Sequence, residues 1–291
     1  MTSPVRKAVF PVAGLGTRTL PATKAVPKEM LTIVDKPLIQ YAVEECLAAG
    51  IEQFVFVTGR NKGPIEDHFD HAYELEATLE ERNKTAELQQ TLASLIPAGN
   101  AIFTRQQQPL GLGHAVWCAR HWIGDEAFAV LLPDELTLSS PSCTAELVET
   151  HASTKGSVIS VLDVPKDQTS RYGIVVTGKD DGRLAEVAGM VEKPKPEAAP
   201  STLAIIGRYV LLPEVFRHLD RKERGAGNEI QLTDALAKMV GNAPFHALRY
   251  AGRRYDCGNR LGFLEANLAI GLTHPEIGAD VRRMAKTLLD S

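Results

Sequence analysis

The sequence predicts an α/β protein with a Rossmann-like, doubly wound sheet that is mixed but mainly parallel. Three observations lead there. Apolar runs at residues 7–13, 54–58, 102–104 and 128–132 are short and read as buried strands. Stretches of helical apolar period lie between them, at 37–49, 67–95 and 113–122. The alternation of the two implies parallel strands joined by right-handed crossovers.

The first strand stops at Gly14 and opens into a turn-rich loop, residues 14–28, full of Gly, Thr and Pro. The next helix, 37–49, follows Asp35, read as its cap, and ends at Gly50, placed as a C-cap glycine. The stretch 67–95 is long, charged and helical in period, and 67–87 within it reads as an exposed helical excursion. The strand at 128–132 runs into Pro133-Asp134. After about residue 155 the pattern shifts toward strands, at 157–164, 173–176, 184–192 and 203–212, with helices at 213–219 and 229–240. Another strand precedes Tyr255-Asp256, and two helices, 261–271 and 277–289, close the chain. The expected organisation is a single domain, 1–291, in three parts: 1–155, 156–260 and 261–291. The middle part adds sheet for a second ligand. Open sheets bind ligands beyond the carboxyl ends of their strands. The loop after Ala13, Asp134 and Asp256 are all expected there.

Composition sets outer bounds. With 44% hydrophobic and 23% charged residues over 291 positions, the chain can bury a sizeable core. A net charge of −4 argues against nucleic acid as a partner. Cys46, Cys118, Cys143 and Cys257 are far apart and form no CxxC pair, which suits a reducing, cytoplasmic location. The first residues carry no apolar run of signal-peptide length, and no stretch approaches a membrane span, so no membrane partner is expected.

The loop Ala13-Gly14-Leu15-Gly16-Thr17-Arg18, continuing to Pro27-Lys28, carries the chemistry. A strand leading into a glycine loop presents backbone N–H groups to phosphates. Arg18 adds a guanidinium fork and Lys28 a point charge. A Walker A loop is excluded because Gly-Lys-Ser/Thr is missing. The dinucleotide fingerprint fails at Thr19, where its third glycine belongs, which disfavours an NAD-dependent oxidoreductase. His114, Cys118 and His121 are spaced to share a helical face, but lack a fourth zinc ligand.

Residues 13–41, AGLGTRTLPATKAVPKEMLTIVDKPLIQY, closely resemble the bacterial UTP–glucose-1-phosphate uridylyltransferases. So do IEDHFD (65–70), ELEATLEERNK (74–84), GLGHAVWCA (111–119), LLPDEL (131–136), RYGIV (171–175), VEKP (191–194), IGRYVL (206–211), NEIQLTDAL (228–236) and YDCGNRLGFLEAN (255–267). The resemblance covers nearly the whole chain. Thr19, Thr32, Trp117, Glu135 and Asn259 stand where the family often has other residues, and none of them removes a group assigned to the chemistry.

The resemblance implies a nucleotidyltransferase fold, with 1–155 binding nucleotide and 156–260 binding sugar phosphate. It implies that UTP and glucose 1-phosphate give UDP-glucose and pyrophosphate with Mg²⁺, by direct attack of the sugar phosphate on the α-phosphorus. A phosphate monoester with a second pKa of about 6 arrives ionised, so no general base is required. Arg18, Lys28 and Lys193 are implied as the catalytic cations. Ala13, Gly14, Gly16, Thr17, Gln106, Gly111 and Asp134 join Arg18 and Lys28 on the nucleotide, with Gln106 and Gly111 at the base. Tyr172, Gly173, Glu192, Lys193 and Gly207 face the sugar phosphate, and Glu229 lies near the sugar. Asp134 and Asp256 are the implied metal ligands. The family also implies a homo-oligomer, dimer or tetramer. Two other readings stay open. One is a nucleotidyltransferase for dTTP or another sugar phosphate. The other is a non-catalytic relative, disfavoured because Arg18, Lys28, Asp134, Lys193 and Asp256 are all present.

Overall fold

The computed structural model describes residues 4–290. Its strands in chain order are β1 (Lys7–Pro11), β2 (Thr32–Ile33), β3 (Lys36–Pro37), β4 (Gln53–Thr58), β5 (Ala101–Arg105), β6 (Phe128–Leu131) and β7 (Glu135–Leu138). They continue as β8 (Ser157–Asp163), β9 (Gly173–Asp180), β10 (Leu184–Glu192), β11 (Leu203–Leu211), β12 (Phe245–Arg249) and β13 (Arg253–Asp256). Nine of them form one sheet in the order β5-β4-β1-β6-β11-β8-β12-β10-β9.

The first four strands of that order pair in parallel, as the βα alternation requires. Beyond β6 the pairings are antiparallel, except for β12 alongside β8. The sheet is therefore more evenly mixed than the sequence predicts. The cause lies in the second half, where strands follow one another with few intervening helices. The chain leaves β1 toward β4 and β5, then returns to β6 on the other side of β1. That reversal opens a crevice at the carboxyl ends of β1 and β6.

Alternation along β1 divides the core. Ala8 and Phe10 pack on one face with Phe54, Phe56 and Ile39, and Val9 packs on the other with Val55, Val116 and Val130. The first face is covered by α1 (Leu38–Ala48), whose Ile39, Ala42, Val43 and Cys46 are buried. Gly50 follows with φ 79°, as expected of a C-cap glycine. Asp35 does not cap this helix. Its N-cap is Pro37, without a side-chain bond, and Asp35 lies 3.5 Å from His274 Nε2 instead.

The helical stretch 67–95 is divided: it begins at the end of α2 (Gly63–His68) and continues as α3 (Tyr73–Glu81) and α4 (Thr85–Leu92). Asn83, at φ 55°, turns the chain between the last two. The helix expected at 113–122 is two, α5 (Leu112–Cys118) and α6 (Arg120–Ile123).

β7 and α7 (Cys143–Thr154) were not legible in the sequence, nor were the two-residue strands β2 and β3; α7 is capped by Ser142 Oγ accepting from Ala145 N at 3.2 Å. The later helices are α8 (Val215–Leu219), α9 (Leu232–Ala237), α10 (Arg260–Thr273) and α11 (Gly278–Leu289). β7 pairs with β13 in a separate ribbon, placing Asp256 opposite Glu135. Leu136, Tyr255 and Cys257 pack that ribbon on Ala266 of α10.

Candidate active site

The loop from Ala13 to Lys28 leaves β1 and folds into three short 3₁₀ turns, Thr17–Thr19, Ala22–Lys24 and Lys28–Met30. Gly16, at φ 67°, makes the first bend, and its carbonyl accepts from Thr23 Oγ1 at 2.7 Å. A side chain there would be strained and would crowd Lys28 and Thr23 at 3.2 Å. The loop is thereby folded back so that Lys28 Nζ reaches Asp134 Oδ2, 2.6 Å away, just beyond β6.

Asp256 arrives from the ribbon rather than from the main sheet, where the sequence reading placed it. The first turn of α10 presses on it: a Cβ on Gly262 would lie 2.2 Å from the Asp256 carbonyl oxygen. Asn259 caps that turn by accepting from Gly262 N at 2.9 Å. The two aspartates still converge. A Cβ on Gly258 would meet Asp134 Oδ2 at 2.9 Å, Asp256 Oδ1 at 3.1 Å and Arg18 Nη2 at 3.1 Å. Each carboxylate is also paired with a cation, Asp134 with Lys28 and Asp256 with Arg171 at 3.0 Å. Burial works to raise the Asp134 carboxyl, but Lys28 and Arg18 outweigh it and hold it below its usual value. Burial pulls the Lys28 ammonium down, and Asp134 and Glu29 more than restore it.

Of these groups Arg18, Arg171 and Asp256 line a cleft of about 450 Å³. Its walls include Arg18, Tyr172, Gly173, Glu192, Lys193, Gly207 and Asp256, so the site residues predicted for the sugar phosphate are brought together. Lys193 Nζ lies 3.1 Å from Glu192 Oε1, and Lys193 holds the left-handed backbone, φ 47°, with its N–H on the Tyr172 carbonyl at 3.0 Å. Gly207 sits at a register shift in β11 with φ 73°, where a Cβ would strike Glu135 Cγ at 2.9 Å. Glu229 also lines the cleft.

Gln106 and Gly111, predicted at the base, lie at the end of β5 and the start of α5. Gln106 Nε2 donates to the Gly111 carbonyl at 3.0 Å and sits 3.0 Å from His114 Nδ1. His114 is therefore engaged with Gln106, and the split at Ala119 takes His121 off the helix that carries His114 and Cys118. Gly111, at φ 106°, has no room for a side chain against Glu229 and Ile230. Ala13 packs its carbonyl oxygen 3.1 Å from where a Gly59 Cβ would lie.

The sequence reading missed several residues of the cleft. Arg171 holds Asp256. Gln231 and Thr233 line the wall opposite Gly173. Glu135 is gripped by Arg254 through bonds of 2.5 and 2.7 Å, and Arg254 Nη1 donates to the Tyr172 hydroxyl at 3.1 Å. Burial pushes the Glu135 carboxyl up, to about 7, against the pull of Arg254. The motifs RYGIV, LLPDEL and NEIQLTDAL contain Arg171, Glu135, Gln231 and Thr233, and Arg254 lies outside every motif that carried the resemblance.

The nucleotidyl transferase family model matches residues 7–271. A UTP–glucose-1-phosphate uridylyltransferase of Komagataeibacter xylinus is 53% identical over 261 residues, which is 90% of this chain and 92% of the relative. A UTP-bound UGPase from Acinetobacter baumannii superposes with a TM-score of 0.89 at 42% identity, covering 97% of this chain and 98% of its own. A UDP-glucose pyrophosphorylase complexed with UDP-glucose superposes with a TM-score of 0.83 at 42% identity, covering 91% and 98%. The chain belongs to the nucleotidyl transferase family, and within it to the UTP–glucose-1-phosphate uridylyltransferases.

Proposed function

We propose that the protein transfers the uridylyl group of UTP to glucose 1-phosphate by direct in-line displacement, releasing pyrophosphate. The observation that carries this is the meeting of Asp134, Asp256 and Arg18 around Gly258, at the rim of the cleft holding Glu192 and Lys193. The solved relatives with UTP and with UDP-glucose support the same substrate and product.

Two oxygen-donor carboxylates facing one point suit Mg²⁺, which takes one or two carboxylates and fills its shell with phosphate oxygens and water. Asp134 and Asp256 would hold it, and it would supply neutralisation of phosphate charge. Lys28 and Arg171 already act as counter-cations there. The remaining work is positioning and electrostatics. Lys193 takes the phosphate of the sugar substrate, Glu192 accepts from sugar hydroxyls, and backbone at Gly173 and Gly207 allows close approach. Arg18, Lys28 and the loop N–H groups of Gly14, Gly16 and Thr17 draw the triphosphate in. The uracil edge is read by Gln106, with Ala13 and Gly111 beside it. An oxygen of the sugar phosphate forms the new bond to the α-phosphorus as the bond to the β-phosphate oxygen breaks, and no proton moves.

We read residues 1–155 as the nucleotide part and 156–260 as the sugar-phosphate part of one domain. Leu261, Leu264 and Leu268 are exposed along one face of α10, which supports a homo-oligomer. Four unpaired cysteines suit the cytoplasm, and among the described residues no helix is long and apolar enough to cross a membrane.

The test is pyrophosphate release with glucose 1-phosphate and each of UTP, dTTP, ATP, GTP and CTP. Release mainly with UTP, abolished by EDTA, is expected. Preference for dTTP would move the protein to the thymidylyl branch, and no release from folded protein would refute the reading.

A further inference from the structure

The ribbon of β7 and β13 turns one face to the sugar cleft and the other to α10. Alternate residues of a strand share a face, so Arg254 lies on the same face as Asp256, with Glu135 opposite Asp256 in the register. Leu136 and Tyr255 take the other face and pack with Ala266. The ribbon is separate from the nine-stranded sheet, yet it carries Asp256 and begins beside Asp134. The groups for the sugar phosphate stand on the sheet itself: Gly173 opens β9, Glu192 ends β10, and Lys193 follows it. A displacement at phosphorus tolerates little error in the line of attack, so ribbon and sheet need a fixed separation.

A chain of hydrogen bonds supplies it. Arg254 grips both oxygens of Glu135 through Nε and Nη2. Its Nη1 donates to the Tyr172 hydroxyl at 3.1 Å, and its Cζ lies 5.1 Å from the centre of the Tyr172 ring. The Tyr172 carbonyl accepts from Lys193 N at 3.0 Å, which holds the left-handed turn at Lys193. The links run unbroken from the neighbour of Asp134 to the lysine assigned to the sugar phosphate. The side chains of Arg254 and Glu135 are only 12% and 15% exposed, so solvent screens the fork little.

Glu135 and Tyr172 line the cleft and Arg254 does not, so Arg254 acts through them. Glu135 is also a position where the chain departs from the residue its relatives often carry, so the shared motifs do not imply the relay. Arg171 ties the same turn to the ribbon a second time, through Asp256 at 3.0 Å. Loss of the Arg254 link therefore loosens the turn without undocking it.

We propose that Arg254 is a positioning residue: through Glu135 and Tyr172 it sets the separation between the aspartates Asp134 and Asp256 and the lysine Lys193, and so governs turnover more than binding. This rests on the uridylyltransferase reading above.

The experiment is steady-state pyrophosphate release from UTP and glucose 1-phosphate by the full chain, with thermal melting as the check on folding. Wild type is compared with Arg254→Lys, Tyr172→Phe and the double variant. Arg254→Lys keeps a cation beside Glu135 but loses the planar fork, and Tyr172→Phe keeps the ring but deletes the hydroxyl. Arg254→Lys should lower kcat by about tenfold to a hundredfold, with both KM values within about threefold. Tyr172→Phe should lower kcat by about tenfold. The two losses should not multiply, so the double variant should match Arg254→Lys alone. A raised KM for glucose 1-phosphate at unchanged kcat would overturn the proposal, because the side chains would then serve binding. Losses that multiply would also overturn it, because the two would act independently. If Arg254→Lys fails to fold, Tyr172→Phe carries the test, since it strands no charge, and an unchanged kcat there would overturn the relay. Folded wild-type protein that releases no pyrophosphate would instead sink the parent reading, and the relay with it.

Discussion

Arg208 and Glu45, 163 positions apart in the chain, form a fully enclosed bidentate ion pair. Nε of Arg208 is 3.1 Å from both Glu45 oxygens, and Nη2 is 2.9 Å from Oε2. Glu45 also accepts from Thr137 Oγ1 and from the N–H and hydroxyl of Thr144. The other arm of Arg208, Nη1, donates to the Leu132 carbonyl at 2.9 Å, two residues before Asp134. One pair thus ties α1, β7, α7 and β11 to the segment that carries a site carboxylate.

Replacing Arg208 by Met would leave Glu45 buried and charged without a partner. A loss of about 3–5 kcal/mol is expected, read as a lower midpoint in urea unfolding. An unchanged midpoint would mean that the pair contributes nothing. The double change Arg208→Met with Glu45→Leu should recover much of the loss, because no charge is then stranded.

The same pair sets an acid limit. Burial tends to raise the Glu45 carboxyl, but Arg208 and the threonine donors hold it below its ordinary 4.5. A depressed carboxylate stabilises the fold fully above its unfolded pKa and loses that contribution as pH falls through the folded value. Stability should therefore decline below about pH 4.5, and less steeply in the double variant than in wild type. Identical slopes for the two proteins would assign the acid loss to other groups.

Asp256→Asn should cut turnover by about two orders of magnitude at saturating UTP, the scale of losing one transition-state electrostatic contact. The fold should survive, since Asp256 ends a two-stranded ribbon held by Leu136, Tyr255 and Ala266 rather than by its own carboxylate. Circular dichroism and thermal melting check the fold. Full activity in saturating Mg²⁺ would take Asp256 out of the metal site.

Lys193→Ala should raise the KM for glucose 1-phosphate about tenfold or more and leave that for UTP nearly unchanged. The ammonium is about half exposed and, among the described residues, pairs only with the adjacent Glu192, so it can turn to a phosphate at little structural cost. Equal effects on both substrates would remove it from the sugar-phosphate site.

What could be read in the sequence follows the range of the interactions. The loop from Ala13 to Lys28 was legible because its glycines, its cations and the resemblance all lie in one contiguous run. The strands β1, β4, β6 and β11 were legible because they are buried on both faces and so are apolar over most of their length. β7 and α7 were not, since residues 135–154 mix threonines and serines with leucines and have no clean period. Asp35 illustrates a local rule overruled by tertiary structure: its position suited a cap, and the helix starts at Leu38 without one. The contacts Arg171 to Asp256 and Arg254 to Glu135 join distant positions, and nothing local announces them.

Gly111 offers the most discriminating test of how the two halves of the site are joined. Its flanks are laced to the segment after Glu229: Ile230 N donates to the Leu110 carbonyl at 2.7 Å, and Gly113 N to the Ile230 carbonyl at 2.9 Å. At φ 106° an alanine would be strained, and its Cβ would sit 2.7 Å from Glu229 Cβ and 2.8 Å from the Ile230 oxygen. The Ile230 backbone and the Glu229 Cβ fixed to its own backbone leave no flexible end to yield, so the lacing must open. Because Glu229, Gln231 and Thr233 line the sugar cleft, Gly111→Ala should weaken both substrates, with a stability loss of about 1–3 kcal/mol. Gln106→Ala touches only the base side and should weaken UTP while sparing glucose 1-phosphate. If Gly111→Ala impaired UTP alone, the base and sugar sites would be mechanically independent and the lacing would be without consequence.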